Sequence, residues 1–196
     1  MKTLKNLILV FGSLLMFAFT TQISVAQTYN LSNAASVLKI EGTSNIHDWD
    51  ITAADQKGKI VVDFENGKLI NIEQLDFIVM AESLKSGKSS MDKNTYKALN
   101  TEKYKQIVYK LTKVNSINCS TNSNCKVTTT GSLKIAGTTK TVEITFDIKI
   151  TDSKIILSGV ETLKMTTYGV EPPTALFGTI TTGDAIDVKF QSSFIK

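Results

Sequence analysis

The residues best equipped for chemistry sit in one stretch, Glu41-Gly42-Thr43-Ser44-Asn45-Ile46-His47-Asp48-Trp49-Asp50. It holds the chain's only histidine and only tryptophan. An imidazole beside carboxylates is the raw material for acid–base catalysis, nucleophile activation or metal ligation. The spacing argues against each. As a strand, the stretch puts His47, Trp49 and Ile51 on one face and Asp48 and Asp50 on the other. His47 and Asp48 then cannot form a dyad. Serines are plentiful, but there is no Gly-x-Ser-x-Gly elbow. One histidine without a close carboxylate cluster leaves a metal short of ligands. No catalytic residue, metal site or cofactor is assigned. The simpler reading is a partly buried histidine satisfied by a backbone partner, with Trp49 plugging the core.

The other reactive pair is Cys119 and Cys125, in Cys-Ser-Thr-Asn-Ser-Asn-Cys. The pair lacks Cys-x-x-Cys spacing and has no histidine nearby, so a disulfide at the base of a hairpin is expected if the chain is exported. Export is what the first residues predict. Residues 1–26 have a basic start at Lys2 and Lys5, an apolar run over 7–19, and Ser24-Val25-Ala26 as a cleavage site. The apolar run is shorter than the ~20 residues of a membrane span. Cleavage after Ala26 leaves one domain, 27–196, with no stable membrane span. It also lowers the formal charge from +4 to +2 by removing Lys2 and Lys5. Every basic residue is lysine. Bidentate arginine recognition of phosphate is therefore absent, and with no basic stripe a nucleic-acid partner is not expected.

The elements that must position these residues read as strands. Residues 27–36 form a polar lead-in. Residues 37–41 follow with Leu38 and Ile40 on one face. Gln56-Lys57-Gly58 marks a turn, 59–65 alternates, and Asn66-Gly67 is a strong two-residue hairpin signal. Residues 68–80 return with a slip of phase, which predicts a β-bulge near Glu73-Gln74. Residues 89–99 are the one helical piece. Ser90 is its expected cap, Asn100 its stop, and Met91, Thr95, Ala98 and Leu99 form one stripe. Residues 107–111 and 127–135 flank the cysteine loop. Residues 142–150 give the cleanest strand, with Val142, Ile144, Phe146, Ile148 and Ile150 on one side. In 155–165 the inward positions are apolar except for Glu161, a conspicuous misfit. Residues 168–182 are irregular, and 185–194 close the chain. The fold class is all-β: an antiparallel barrel of about eight strands with one short helix, closed to remove its edges.

The inward set includes Ile60, Val62, Phe64, Phe77, Val79, Tyr109, Leu133, Ile144, Phe146, Ile148, Leu157, Met165, Val188 and Phe190. Alternation does not distinguish a packed interior from a lined cavity. A single short helix and a long proline-containing loop are suited to lidding one barrel end.

The motif Gly42-Thr43-Ser44-Asn45-Ile46-His47-Asp48-Trp49 resembles the opening signature of the YceI-like family of exported bacterial proteins. Further pieces match in order. Ser89-Ser90-Met91-Asp92, followed by Ala98-Leu99-Asn100-Thr101-Glu102-Lys103-Tyr104, is similar to the family's helix and its exit. Gly131-Ser132-Leu133-Lys134-Ile135-Ala136-Gly137-Thr138-Thr139-Lys140 is similar to its hairpin. Tyr168-Gly169-Val170-Glu171-Pro172-Pro173-Thr174-Ala175 resembles the late loop of Bacteroidetes-type members. The Cys119–Cys125 loop is outside the general pattern. The resemblance implies a lipocalin-like barrel holding a polyisoprenoid or other long-chain amphiphilic lipid. It also implies binding, storage or transport in the periplasm, or after secretion, rather than catalysis. The expected ligand-facing set is then His47, Trp49, Phe64, Phe77, Val79, Tyr109, Ile144, Phe146, Ile148 and Met165. Without arginine, a neutral or weakly polar head such as a quinone-like ring is favoured. Two other readings stay open: a small hydrolase or isomerase using His47 in the same cavity, and a packed β-domain for protein contacts.

Overall fold

Period-two alternation gives each strand one inner face, and pairing those faces closes the sheet. The computed structural model describes residues 25–151 and 153–196. The leader predicted over 1–26 lies outside them except for Val25 and Ala26. In chain order the elements are β1 (Val25–Leu31), β2 (Val37–Ser44), β3 (Asp48–Ala53), β4 (Gln56–Glu65), β5 (Lys68–Met80), β6 (Leu84–Lys85) and helix α1 (Ser89–Leu99). They continue with β7 (Gln106–Thr121), β8 (Asn124–Ile135), β9 (Thr138–Ile150), β10 (Lys154–Lys164), β11 (Thr174–Ala175) and β12 (Ile180–Ile195).

Eight strands form an antiparallel ring in the order β1-β4-β5-β7-β8-β9-β10-β12, which returns to β1 through Asn30↔Ile195 and Leu31↔Phe194. Further along, β12 pairs with β2 instead, β2 with β3, and β3 with β6. The pairs β1/β2, β3/β4 and β5/β6 are thus three staves, each interrupted once. The interruptions are tied together by polar groups. Asn33 donates from Nδ2 to Ala54 O at 2.8 Å and accepts Gln56 N–H on Oδ1 at 2.8 Å. Met80 N–H reaches Asp55 O, and Ala54 N–H reaches Ser83 O. Backbone groups freed by each break are satisfied in this way.

Several sequence expectations hold in detail. Asn66 (φ 51°) and Gly67 (φ 74°) join β4 to β5 in a left-handed two-residue turn. The bulge falls at Glu73, because Val61 pairs with Gln74 and Val62 with Ile72. Helix α1 ends at Asn100, φ 50°. Cys119 and Cys125 pair across β7 and β8 and are joined by a disulfide.

Others are corrected. The polar lead-in is largely β1, in which Tyr29 is fully covered and Leu31, two residues on, packs against the same core. Two inward apolar residues among polar ones give little alternation to read. The turn expected at 56–58 lies at Ala54–Asp55, and Gly58 is inside β4. A β-carbon there would stand 2.8 Å from Asp76 O, so glycine serves a close backbone approach. A second irregularity, between Asp63 and Phe64, turns Ile70 outward and Leu69 inward. Ser90 is inside the helix. The residue before the helix, Lys88, makes no side-chain cap, while Asp92 Oδ1 accepts from Ser86 N and Oγ at 2.8 and 2.7 Å. Strand β12 starts earlier than expected, with a shift between Thr182 and Ile186.

The interior is unequal along the barrel. At one end Tyr29, Ile60, Val62, Val127, Ile148, Ile155 and Phe194 are at most 1% exposed and form a packed floor. Leu38, Ile51, Ala53, Val79 and Leu84 form a second cluster toward the other end. Met91, Tyr96 and Leu99 of α1 pack against it.

Candidate functional site

Beyond the floor the barrel is open inside, with a cavity of about 440 Å³. Its limit is visible on three neighbouring strands. The cavity-lining residues Phe146, Leu157 and Ser192 are each followed, two positions away, by a floor residue: Ile148, Ile155 and Phe194. The walls are mostly aliphatic and aromatic: Leu38 and Ile40 from β2, Leu75, Phe77 and Val79 from β5, Leu133 and Ile135 from β8, Ile186, Val188 and Phe190 from β12. Helix α1 lays Met91, Thr95, Ala98 and Leu99 over the top. Met165, Tyr168, Val170, Pro173, Thr174 and Ala175 complete the cover.

Of the residues expected to face a ligand, His47, Trp49, Phe77, Val79, Tyr109, Ile144, Phe146 and Met165 line the cavity. Phe64 and Ile148 do not. Ile148 belongs to the floor, and Phe64, half-buried near the Asn66-Gly67 turn, packs against the same cluster. Parity assigned both to the inner face correctly, but parity carries no information about height along the barrel.

The opening motif is a rim. Ser44 Oγ donates to His47 O at 2.7 Å and accepts from the N–H groups of Ile46 and His47. That turn lifts His47 out of the strand, so it is exposed rather than partly buried. Its backbone partner is as expected: Nδ1 lies 2.8 Å from Asp48 O, which requires the proton on Nδ1. Asp48 lies outside the cavity lining, and no dyad forms. Trp49 Nε1 donates to Thr43 O at 2.9 Å, and its indole covers Gly42, where a β-carbon would overlap the ring. Asn45 bridges this turn to the late loop. It donates to Thr179 O at 2.9 Å and accepts Thr181 N–H at 3.0 Å. Ile46, Leu176 and Phe177, on these two bridged segments, are exposed.

Two polar features lie on the inner wall. Thr129 Oγ1 donates to Ile144 O at 3.2 Å, so the 3.0 Å contact with Tyr109 is donated by the tyrosine hydroxyl. Burial pushes the Tyr109 hydroxyl pKa up, and nearby Glu161 adds to it. Glu161 itself is the misfit noted in the sequence. It lines the cavity from β10, opposite Val188. Its carboxylate has no hydrogen bond or ion pair among the described residues, and burial pushes its pKa up. Sequence reading flagged the residue but gave it no role. No group of three or more metal-ligating side chains occurs among the described residues, and no helix among them is long and apolar enough to cross a membrane.

The fold matches solved structures along most of its length. Burkholderia cenocepacia BcnA is 15% identical, with 83% of this chain and 98% of that one covered and a TM-score of 0.66. A polyisoprenoid-binding domain from Saccharophagus degradans, implicated in plant cell wall breakdown, is 11% identical, with 85% and 97% covered and a TM-score of 0.66. A Campylobacter jejuni YceI protein is 19% identical, with 72% and 81% covered and a TM-score of 0.50. Identities this low speak for the fold alone. No curated protein sequence matches. The YceI-like domain model matches residues 29–194, nearly the whole described barrel, and the chain belongs to the YceI-like family.

Proposed function

We propose that the protein binds a polyisoprenoid or similar amphiphilic lipid, tail inward, and stores or carries it outside the cytoplasm. The observation that carries this reading is the apolar cavity, floored by tight packing and lidded by α1. At about 30 Å³ per carbon, the liquid-volume share of a water molecule, 440 Å³ holds on the order of 15 carbons. Burying them contributes roughly 12 kcal/mol at ~0.8 kcal/mol each. Association costs an estimated 4–15 kcal/mol, so the tail alone brings binding close to balance and head contacts tip it. The exposed Ile46, Leu176 and Phe177 give an apolar landing for a tail entering past the rim. The leader-like residues 1–26 and the Cys119–Cys125 bridge support an exported location.

The test is lipid extraction from natively purified protein, followed by mass spectrometry. A prenyl lipid at near-stoichiometric amount is expected, together with its loss in Phe146→Asp, which sets a charge on the inner wall. Ile144→Asp, half-buried on the same strand, replaces it should Phe146→Asp fail to fold. A lipid-free native protein that also takes up no added prenyl compound would refute the reading, as would a folded variant that keeps its lipid.

A further inference from the structure

Glu161 stands where an apolar residue would fit better. On β10 its neighbours of the same phase are Gly159 and Leu163, and most of the other lining residues are apolar. An acid in such surroundings is destabilising unless something answers it. Nothing among the described residues does. The ionisable groups that share the cavity are Tyr109, Tyr168, His47, Lys88 and Lys164. Tyr109 already donates its proton to Thr129. Tyr168 is 2% exposed and its hydroxyl is held neutral by burial. His47, Lys88 and Lys164 are exposed at the rim, and none forms an ion pair with Glu161. The carboxylate is therefore an open hydrogen-bond acceptor inside a space otherwise suited to hydrocarbon.

Resting on the lipid reading above, we propose that Glu161 is a head-group subsite: it accepts a hydrogen bond from the hydroxyl of a neutral prenyl alcohol or phenol and rejects phosphate heads. Acceptance follows from its unpaired oxygens, since a hydrogen bond to a charged group is worth more than a neutral one. Rejection follows from like charge in a space of low dielectric. The chain offers no arginine to reverse that sign. The competing arrangement puts an anionic head outside, against Lys88 and Lys164, and leaves Glu161 uninvolved.

Three probes that share one fifteen-carbon prenyl chain separate the two: farnesol, its methyl ether and its monophosphate, titrated calorimetrically into delipidated protein. The wild type is expected to bind the alcohol about tenfold or more tighter than the ether, and the phosphate weakest. In Glu161→Leu the alcohol-to-ether ratio should fall to about one. In Glu161→Gln, which still accepts a hydrogen bond without charge, the alcohol preference should survive and the phosphate penalty should shrink. The ether is the internal control for folding, because its affinity should not drop in either variant. An alcohol-to-ether ratio near one in the wild type, or a preference that persists in Glu161→Leu, overturns the assignment. Tighter phosphate binding that ignores both substitutions also overturns it, in favour of the Lys88–Lys164 arrangement. If none of the three binds the wild type, the lipid reading falls and takes this assignment with it; equal binding of all three removes only Glu161.

Discussion

Tail length is the perturbation that probes the cavity most directly, because its volume sets where the response must stop. In a series of straight-chain alcohols from about eight to twenty carbons, each added methylene contributes ~0.8 kcal/mol while there is apolar wall to receive it. That is roughly a fourfold gain in affinity per carbon. The 440 Å³ available fills on the order of 15 carbons, so the slope should flatten there. Moving the end of the cavity should move the break. Ala98 is half-buried on α1 and lines the space. Ala98→Leu adds three carbons, and the break should shift down by about three. Calorimetric titration gives both the slope and the negative heat-capacity change that apolar burial requires. A constant slope through twenty carbons, or a break that stays put in Ala98→Leu, would refute the argument that this cavity holds the tail.

Three further outcomes are expected. Gly42→Ala should unseat the indole stacked on Gly42, lower stability by about 1–3 kcal/mol as overpacking does, and shift the emission of the single tryptophan to the red; unchanged fluorescence would contradict the packing. Glu161 has its carboxyl pushed up by burial, so between the ordinary carboxylate range and the raised value the folded state holds a proton the unfolded chain has released. Stability conferred on the wild type relative to Glu161→Gln is therefore lost as pH rises through that window. The variant should melt higher at neutral pH, by about 1 kcal/mol of stability as released functional strain commonly gives, and alike near pH 4; Glu41, Asp92 and Asp184, whose carboxyls are held low by their partners, act the other way but equally in both proteins. Phe177→Ser should slow lipid uptake from vesicles and leave equilibrium affinity unchanged, as stopped-flow transfer and calorimetry would show; equal rates would remove the rim from the entry path.

How much could be read in advance follows from which signals are local. The Asn66-Gly67 turn, the bulge at Glu73 and the bounds of α1 are written in neighbouring residues, and the structure has them where the sequence puts them. Strand β1 was missed because its place depends on two strong partners, β4 and β12, rather than on its own pattern. Gly58 was misread because a glycine needed for close approach looks the same as one needed for a turn. The candidate site shows the same division. Inner-face parity was legible, and eight of the ten expected side chains line the cavity. Phe64 and Ile148 fall outside because height along a tilted stave depends on register across the ring.

The rarest residues and the most informative residue turn out to be different. His47 and Trp49 drew attention by type, yet their hydrogen bonds run to backbone carbonyls of their own hairpin, at Asp48 and Thr43. Those bonds fix a rim and, through Asn45, fasten it to the late loop. Glu161 is one of many acids by type and becomes conspicuous only by position. A rim histidine bonded to backbone is explained by the fold; an unanswered carboxylate among hydrocarbon is not, since an apolar residue at position 161 would stabilise the barrel. A group that costs stability and serves no packing role calls for an explanation outside the chain, and the cavity it faces supplies one: a hydroxyl arriving with the lipid.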